Sequence, residues 1–109
     1  MTSSVAIVTG AAGDIGRAIA RRLGDDHDIV LMPDLDGQAA AKAAAGLGNP
    51  GKFVAMPCDI TDVASVAAMA ARAAEFGTVR TLVNNAGAAR AVSLHDTTPE
   101  IWRMDNALN

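Results

Sequence analysis

The most constraining feature of this sequence is a glycine-spaced turn, Thr9–Gly16, that joins an apolar run to an amphipathic segment. The apolar run is Val5–Val8, and the amphipathic segment continues from Arg17 to Leu23. A strand, a tight turn and a helix in this order leave unpaired N–H groups and a partial positive charge at the start of the helix. Because glycines let the backbone turn tightly and approach a ligand, the stretch predicts a site for the pyrophosphate of a dinucleotide.

The rest of the chain alternates apolar runs with helical segments. Strands are predicted at Val5–Val8, Asp28–Met32, Phe53–Met56 and Val79–Val83. Helices are predicted at Ile15–Leu23, at Ala39–Leu47, from a cap at Thr61 or Asp62 to Phe76, and from Thr98 and Pro99 onwards. Units of this βαβ kind build a parallel sheet, and right-handed crossovers give the spatial order 3-2-1-4. We therefore expect one α/β domain over residues 1–109, an incomplete Rossmann-type, doubly wound parallel sheet of about four strands.

Composition excludes several classes of function. The net charge is −3 and no basic cluster is present, which argues against nucleic acid and anionic membranes as partners. No apolar run approaches the ~18 residues of a membrane span. We predict no signal peptide, because the amino terminus leads directly into the first strand; the single cysteine, Cys58, cannot form an internal disulfide. We therefore expect a reducing, cytoplasmic location, with Cys58 buried rather than nucleophilic and no metal site.

The glycines of the turn are Gly10, Gly13 and Gly16, which do not match the generic G-x-G-x-x-G fingerprint. A P-loop is excluded because no lysine follows them. The run instead resembles the T-G-x-x-x-G-x-G motif of the short-chain dehydrogenase/reductase family. Asp14 departs from that motif, since it stands at the family's middle glycine. We expect it to cap the first helix by accepting N–H bonds from Gly16 or Arg17; the alternative is that its charge weakens or reshapes phosphate binding.

A carboxylate ends the second strand. Asp34 lies close to the ~20 residues past the last glycine that are expected of a ribose-binding acid. Such a carboxylate accepts hydrogen bonds from the ribose hydroxyls of NAD and repels the extra phosphate of NADP. The next residue is Leu35 rather than an arginine, so NAD is predicted in preference to NADP. Asp36 is interpreted as a solvated turn carboxylate, and the same interpretation is the alternative for Asp34.

Two further segments match the resembled family. Its Asp-Val or Asp-Ile pair after the third strand contacts adenine, which implies this role for Asp59 and Ile60; alternatively, Asp59 caps the next helix. Its N-N-A-G segment after the fourth strand is matched by Asn84–Gly87, where two amides can tie neighbouring loops and small residues admit the nucleotide. The full set of predicted cofactor-binding residues is Gly10, Gly13, Asp14, Ile15, Gly16, Asp34, Leu35, Asp59, Ile60, Asn85, Ala86 and Gly87.

The last helix carries the one catalytic residue that the resemblance implies. The family often has a Trp seven residues before the Asn of its catalytic tetrad, where that Asn is thought to hold a water in the proton relay. Trp102 and Asn109 have this spacing, and Asn106 is the alternative. Ala88–Leu94 is a candidate wall of the substrate pocket, but its small residues define no substrate.

The resemblance covers the whole chain but only the first half of the family's fold. The tetrad's Ser and its Tyr-x-x-x-Lys follow the Asn in that family, and this sequence contains no tyrosine. We therefore expect the cofactor half of an NAD-dependent oxidoreductase acting on a small alcohol or carbonyl compound, with the open fourth strand favouring homo-oligomers. The alternatives are a non-enzymatic dinucleotide-binding fragment and an α/β methyltransferase, the latter disfavoured by the N-N-A-G segment.

Overall fold

The structure, a computed structural model, describes residues 2–87 and 93–109. Within these residues the strands are Ser4–Val8 (β1), Ile29–Asp34 (β2), Phe53–Pro57 (β3) and Thr78–Val83 (β4). The helices are Asp14–Leu23 (α1), Gly37–Gly46 (α2), Val63–Phe76 (α3) and Pro99–Leu108 (α4), with a short 3-10 helix at Leu94–Asp96. The strands pair in parallel in the order β3-β2-β1-β4. This confirms the predicted fold class and strand order.

The sheet is covered on both faces, which explains why its strands are continuously apolar. Side chains of β1 alternate between two clusters, so that Ala6 and Val8 join one and Val5 and Ile7 join the other. The first cluster includes alanines of α1 and α2, and the second includes Met69 and Ala73 of α3. Small alanines let the helices approach the sheet closely. This packing leaves the carboxyl ends of the strands and the starts of the following helices free to form a site.

The second strand is longer than predicted. Instead of ending at Met32, it continues through Pro33 and Asp34, which are in register with Met56 and Pro57 of β3. The carbonyl of Pro33 accepts a 3.4 Å hydrogen bond from the N–H of Ala11. Proline therefore faces the glycine turn rather than β3, and its missing N–H removes no bond to that strand. As a result, Asp34 is the last residue of β2 and is held by the sheet.

Polar caps set the starts of three helices. Asp62 caps α3 through the N–H of Ala64 and Thr98 caps α4 through the N–H of Ile101, as two of the predicted caps required. The prediction for α2 was wrong, because the helix begins at Gly37 rather than Ala39. Asp36 is exposed, but its carboxylate accepts from two N–H groups and so starts the helix earlier.

Strand β4 lies at one edge of the described sheet. Two of its apolar side chains, Val79 and Leu82, are 42% and 52% exposed. An edge of this kind presents unpaired backbone groups to other chains, and self-association stays a prediction. No helix among the described residues has the length and apolar character that crossing a bilayer requires. Cytoplasmic location also stays a prediction.

Candidate functional site

A cleft of about 620 Å³ lies at the carboxyl edge of the sheet, where the segments that follow all four strands converge. All twelve residues that the sequence predicts to bind a cofactor line this cleft. Sequence reasoning missed three further lining residues, namely Pro33, Cys58 and Leu108. Pro33 and Cys58 follow the apolar runs of two strands, and no sequence motif marks them or Leu108 as bordering a cleft. Residues 88–92 of the candidate substrate wall lie outside the described residues.

Glycine is required at two positions of the turn for packing. Gly10 has a φ of +65°, and an added Cβ would lie 2.8 Å from the Cα of Ala86. At Gly16 an added Cβ would collide with the carbonyl oxygen of Gly10 and would lie 2.8 Å from the side-chain amide nitrogen of Asn85. These contacts bring the first turn of α1 against the loop after β4. The two glycines therefore set the distance between the two walls of the cleft.

Gly13 has a different role, because the protein itself leaves room beside it. Apart from its chain neighbours, an added Cβ would meet only the carbonyl oxygen of Gly10, at an ordinary 3.6 Å. Gly13 is the N-cap of α1 and provides no side-chain hydrogen bond to the N–H groups of the first turn. This arrangement is a helix N-terminus that opens onto a cleft, and it suits a phosphate.

The prediction that Asp14 caps α1 was wrong. Gly13 adopts the extended cap conformation, with φ −74° and ψ 165°, so Asp14 becomes the first helical residue. Its side chain is 96% exposed and forms a 3.3 Å ion pair with Arg17. The Asp14 carboxylate is thus directed to solvent, and the Arg17 guanidinium partly neutralises its charge. Its position in the first turn of α1 gives it a favourable interaction with the helix dipole.

Thr9 and Asn85 lock the glycine turn to the end of β4. The amide nitrogen of the Asn85 side chain donates to the carbonyls of Thr9 and Gly10 at 3.1 and 3.2 Å. The Thr9 hydroxyl in return accepts from the backbone N–H groups of Asn85 and Ala86 at 3.1 and 3.0 Å. Thr9 is only 4% exposed. The tie that the N-N-A-G match implied is therefore made by Asn85, whereas Asn84 is exposed.

Replacing Thr9 with valine tests this lock. Valine has the same shape but cannot accept a hydrogen bond, so the partly buried N–H of Ala86 loses its acceptor and that of Asn85 keeps only the Val83 carbonyl, at 3.1 Å. We expect unfolding free energy to fall by about 1–3 kcal/mol. Urea unfolding measures the change. Thr78→Val, an exposed threonine of β4, is the matched control and should change stability by less than about 0.5 kcal/mol. Equal effects of the two substitutions would contradict the lock.

Asp34 is half-buried and its two carboxylate oxygens are oriented by backbone groups. One oxygen accepts from the N–H of Ala12 in the glycine turn, and the other accepts from the N–H of Asp36 at the start of α2, both at 3.0 Å. The carboxylate therefore bridges the turn and the second helix at the rim of the cleft. Its remaining lone pairs can accept further hydrogen bonds. Asp34 is therefore not a merely solvated turn carboxylate, which was the alternative interpretation, because both of its oxygens accept backbone hydrogen bonds.

The adenine end of the predicted site lies after β3. Asp59 does not cap α3, because Asp62 holds that position; it forms a local turn by accepting from the hydroxyl and backbone N–H of Thr61 at 2.6 and 2.9 Å. Hydrogen bonds from the Thr61 side chain and backbone lower the pKa of Asp59, so its carboxylate stays ionised at neutral pH. Cys58 is 4% exposed, which confirms it as a buried residue.

The end of α4 approaches the cleft from the β4 side. Leu108 lines the cleft, and a Cβ added at Gly87 would lie 2.6 Å from the Oδ1 of Asn109. Asn106 instead donates its side-chain N–H to the carbonyl of Trp102 at 2.8 Å on its own helix. Of the two candidate asparagines, Asn109 is therefore the one beside the N-N-A-G segment.

Comparison with known proteins decides the family. A model of the short chain dehydrogenase family matches residues 4–109. The chain belongs to this family. The glycine turn, Asp34 and Asn85 meet at one edge of the sheet, as expected of a short-chain dehydrogenase. The family match also leaves without support the alternative that the chain is an α/β methyltransferase.

Three short-chain dehydrogenase relatives are informative. D-threitol dehydrogenase of Mycolicibacterium smegmatis is 40% identical over the whole chain, which spans 43% of that protein. The NADP-dependent (R)-specific alcohol dehydrogenase of Lentilactobacillus kefiri is 36% identical over the whole chain, which spans 44% of it. A crystal structure of an actinorhodin polyketide ketoreductase variant with NADPH superposes with a TM-score of 0.88 at 31% identity, over 99% of this chain and 43% of the other. The chain thus spans less than half the length of these relatives.

Proposed function

We propose that this chain binds NAD in the cleft as the cofactor half of a short-chain oxidoreductase, which transfers hydride between the nicotinamide and an alcohol or carbonyl carbon. One observation supports this proposal best: three features lie in the same cleft. They are the start of α1, which has no side-chain cap, the oriented carboxylate of Asp34, and the loop that Asn85 fixes. Relatives named as D-threitol and alcohol dehydrogenases support a small alcohol or carbonyl substrate.

The residues present suit a dinucleotide. The space beside Gly13 can take a pyrophosphate, which the N–H groups of the first turn of α1 would bind. Asp34 would accept hydrogen bonds from the ribose hydroxyls, and Asp59 and Ile60 would lie beside the adenine. When bound, the nicotinamide supplies the hydride chemistry. The chain would orient it through the loop of Ala86 and Gly87, where the Ala86 N–H is held by the Thr9 hydroxyl, and Asn109 is proposed to hold a water of the proton relay.

The preference for NAD over NADP is part of the proposal. It depends on Asp34 and on the absence of a basic residue at Leu35, whereas one relative is NADP-dependent and a structural neighbour carries NADPH. We also propose that the 109 residues alone bind nucleotide without turnover. They contain no tyrosine, and the reaction needs a proton donor or acceptor beside the substrate oxygen.

Calorimetric titration of the 109-residue chain with NADH, with Gly13→Ala as the informative variant, tests the proposal. We expect saturable binding by the unmodified chain. Alanine fits the space at Gly13 but is a poorer N-cap than glycine, so the free energy of unfolding should fall by no more than about 1 kcal/mol. Its methyl group occupies pyrophosphate space and should weaken binding roughly tenfold. Failure of NADH to bind, or equal binding by the variant, would contradict the proposed site.

A further inference from the structure

The wall of the cleft beside the proposed adenine position is formed by the loop 58–62, between β3 and α3. The first three residues of this loop line the cleft. At its start the N–H of Cys58 donates to the carbonyl of Asp34 at 2.8 Å, and at its end Asp62 is the N-cap of α3. Both ends of the loop are therefore fixed, and the position of its middle depends on what holds Asp59.

Ser65, in the first turn of α3, bonds back to this loop. Its hydroxyl oxygen accepts a hydrogen bond from the backbone N–H of Asp59 at 2.9 Å. The same hydroxyl donates to the Sγ of Cys58 at 3.6 Å. Serine side chains can bond to nearby backbone groups in this way, and at helix starts they do so often. Here the bond spans six residues and fixes the main chain of the loop against α3.

The effect of Ser65 on a ligand would be indirect. Ser65 is half-buried and is not one of the residues that line the cleft, whereas Asp59 is. The carboxylate of Asp59 is held within the loop, because it accepts from the hydroxyl and the backbone N–H of Thr61 at 2.6 and 2.9 Å. The bonds to Thr61 therefore orient the carboxylate relative to the loop, and the bond to Ser65 places the loop relative to the helix.

We propose that Ser65 is a positioning residue for the adenine, because its hydroxyl holds the N–H of Asp59 and so sets where the loop 58–62 meets the base. The inference rests on the proposed function, since it assumes that adenine binds beside Asp59 and Ile60. A loop that is already held in place loses less conformational freedom when a ligand binds. Removing the Ser65 hydroxyl should therefore weaken the ligands that contain adenine.

The test separates the hydroxyl from the rest of the side chain with Ser65→Ala and Ser65→Thr. Dissociation constants are measured by calorimetry for NADH, for adenosine 5′-monophosphate, and for reduced nicotinamide mononucleotide, which has no adenine. We expect Ser65→Ala to weaken NADH and the adenine mononucleotide about three- to tenfold, and to change the nicotinamide mononucleotide less than about twofold. Ser65→Thr keeps the hydroxyl, so it should bind all three ligands within about twofold of the unmodified chain.

Cys58 provides a second readout that does not depend on how well the variants fold. It is the single cysteine of the chain, belongs to the loop 58–62 and is 4% exposed. Its reaction with 5,5′-dithiobis(2-nitrobenzoate) therefore requires the loop to open. Saturating adenosine 5′-monophosphate should slow this reaction of the unmodified chain at least about fivefold. Binding of the mononucleotide without any slowing would overturn the inference.

The matched control is Ser4→Ala. The Ser4 hydroxyl also accepts from the backbone N–H of an aspartate, Asp28, at 3.0 Å, but at the amino ends of the strands and outside the cleft lining. This variant should bind all three ligands within about twofold of the unmodified chain.

Three results would overturn the inference and leave the proposed function intact. They are unchanged binding of NADH by Ser65→Ala, an equal loss in Ser4→Ala, and an equal loss for the nicotinamide mononucleotide. Failure of the unmodified chain to bind NADH would overturn both.

Discussion

Replacing Asp34 with alanine is expected to weaken NAD binding by about 10- to 100-fold. A hydrogen bond to a charged acceptor contributes about 1.5–3 kcal/mol, and the loss of this amount from the ribose contact corresponds to a change of this size. The same substitution removes a charge beside the 2′ position, so NADP should lose much less affinity than NAD. Calorimetric titration of both nucleotides measures the two effects in one experiment.

The control for Asp34→Ala is Asp28→Ala, because Asp28 immediately precedes β2 at the opposite end of the strand from Asp34. Asp28 accepts hydrogen bonds from the backbone N–H and hydroxyl of Ser4, and these bonds lower its pKa. It is remote from the cleft lining. Asp28→Ala should therefore leave both nucleotide affinities within about twofold of the unmodified chain. If Asp34→Ala bound NAD as tightly as the unmodified chain, the ribose assignment would be wrong.

Replacing Gly16 with alanine should destabilise the fold and abolish nucleotide binding together. The added methyl group collides with the Gly10 carbonyl and lies 2.9 Å from the Cα of Ala11, and neither is the end of a flexible side chain. Backbone shifts of this kind cost about 1–3 kcal/mol and sometimes more. They would also displace the start of α1 from the loop after β4. Urea unfolding and titration with NADH give the two readouts.

Gly46→Ala is the matched control for Gly16→Ala. Gly46 is exposed at the end of α2, and an added Cβ would meet no atom within 4 Å. Alanine is the better helix former, so stability should stay the same or rise by up to about 1 kcal/mol. Binding should not change. If Gly16→Ala behaved like this control, the close approach of helix and loop would not be required.

The architecture could be predicted because the apolar runs, the helical segments and the turn residues all indicated the same alternation of strands and helices. Continuous apolar runs such as Val5–Val8 mark strands buried on both faces, and the alternation with helices leaves few topologies. The convergence of the predicted site residues followed from the same rule, because the carboxyl ends of parallel strands meet at one edge. The family resemblance supplied the roles of Asn85 and Asn109, which spacing alone would not have assigned.

The errors concern choices between adjacent residues. Asp14 was predicted to cap α1, but a glycine can adopt the cap conformation as well, and the helix starts one residue earlier than predicted, at Asp14 instead of Ile15. Asp59 and Asp62 both precede α3 and both can cap a helix or form a local turn; the structure assigns the turn with Thr61 to Asp59 and the cap to Asp62. The reciprocal bonds of Thr9 with the loop after β4 join residues far apart in sequence, so no local pattern reveals them.

A crystal structure of this chain with bound NAD tests the central claim most directly. The account predicts the pyrophosphate within hydrogen-bond distance of the backbone N–H groups in the first turn of α1, and the adenosine ribose hydroxyls on the carboxylate of Asp34. Nucleotide bound elsewhere, or this cleft closed by side chains while the rest of the fold is kept, would contradict it.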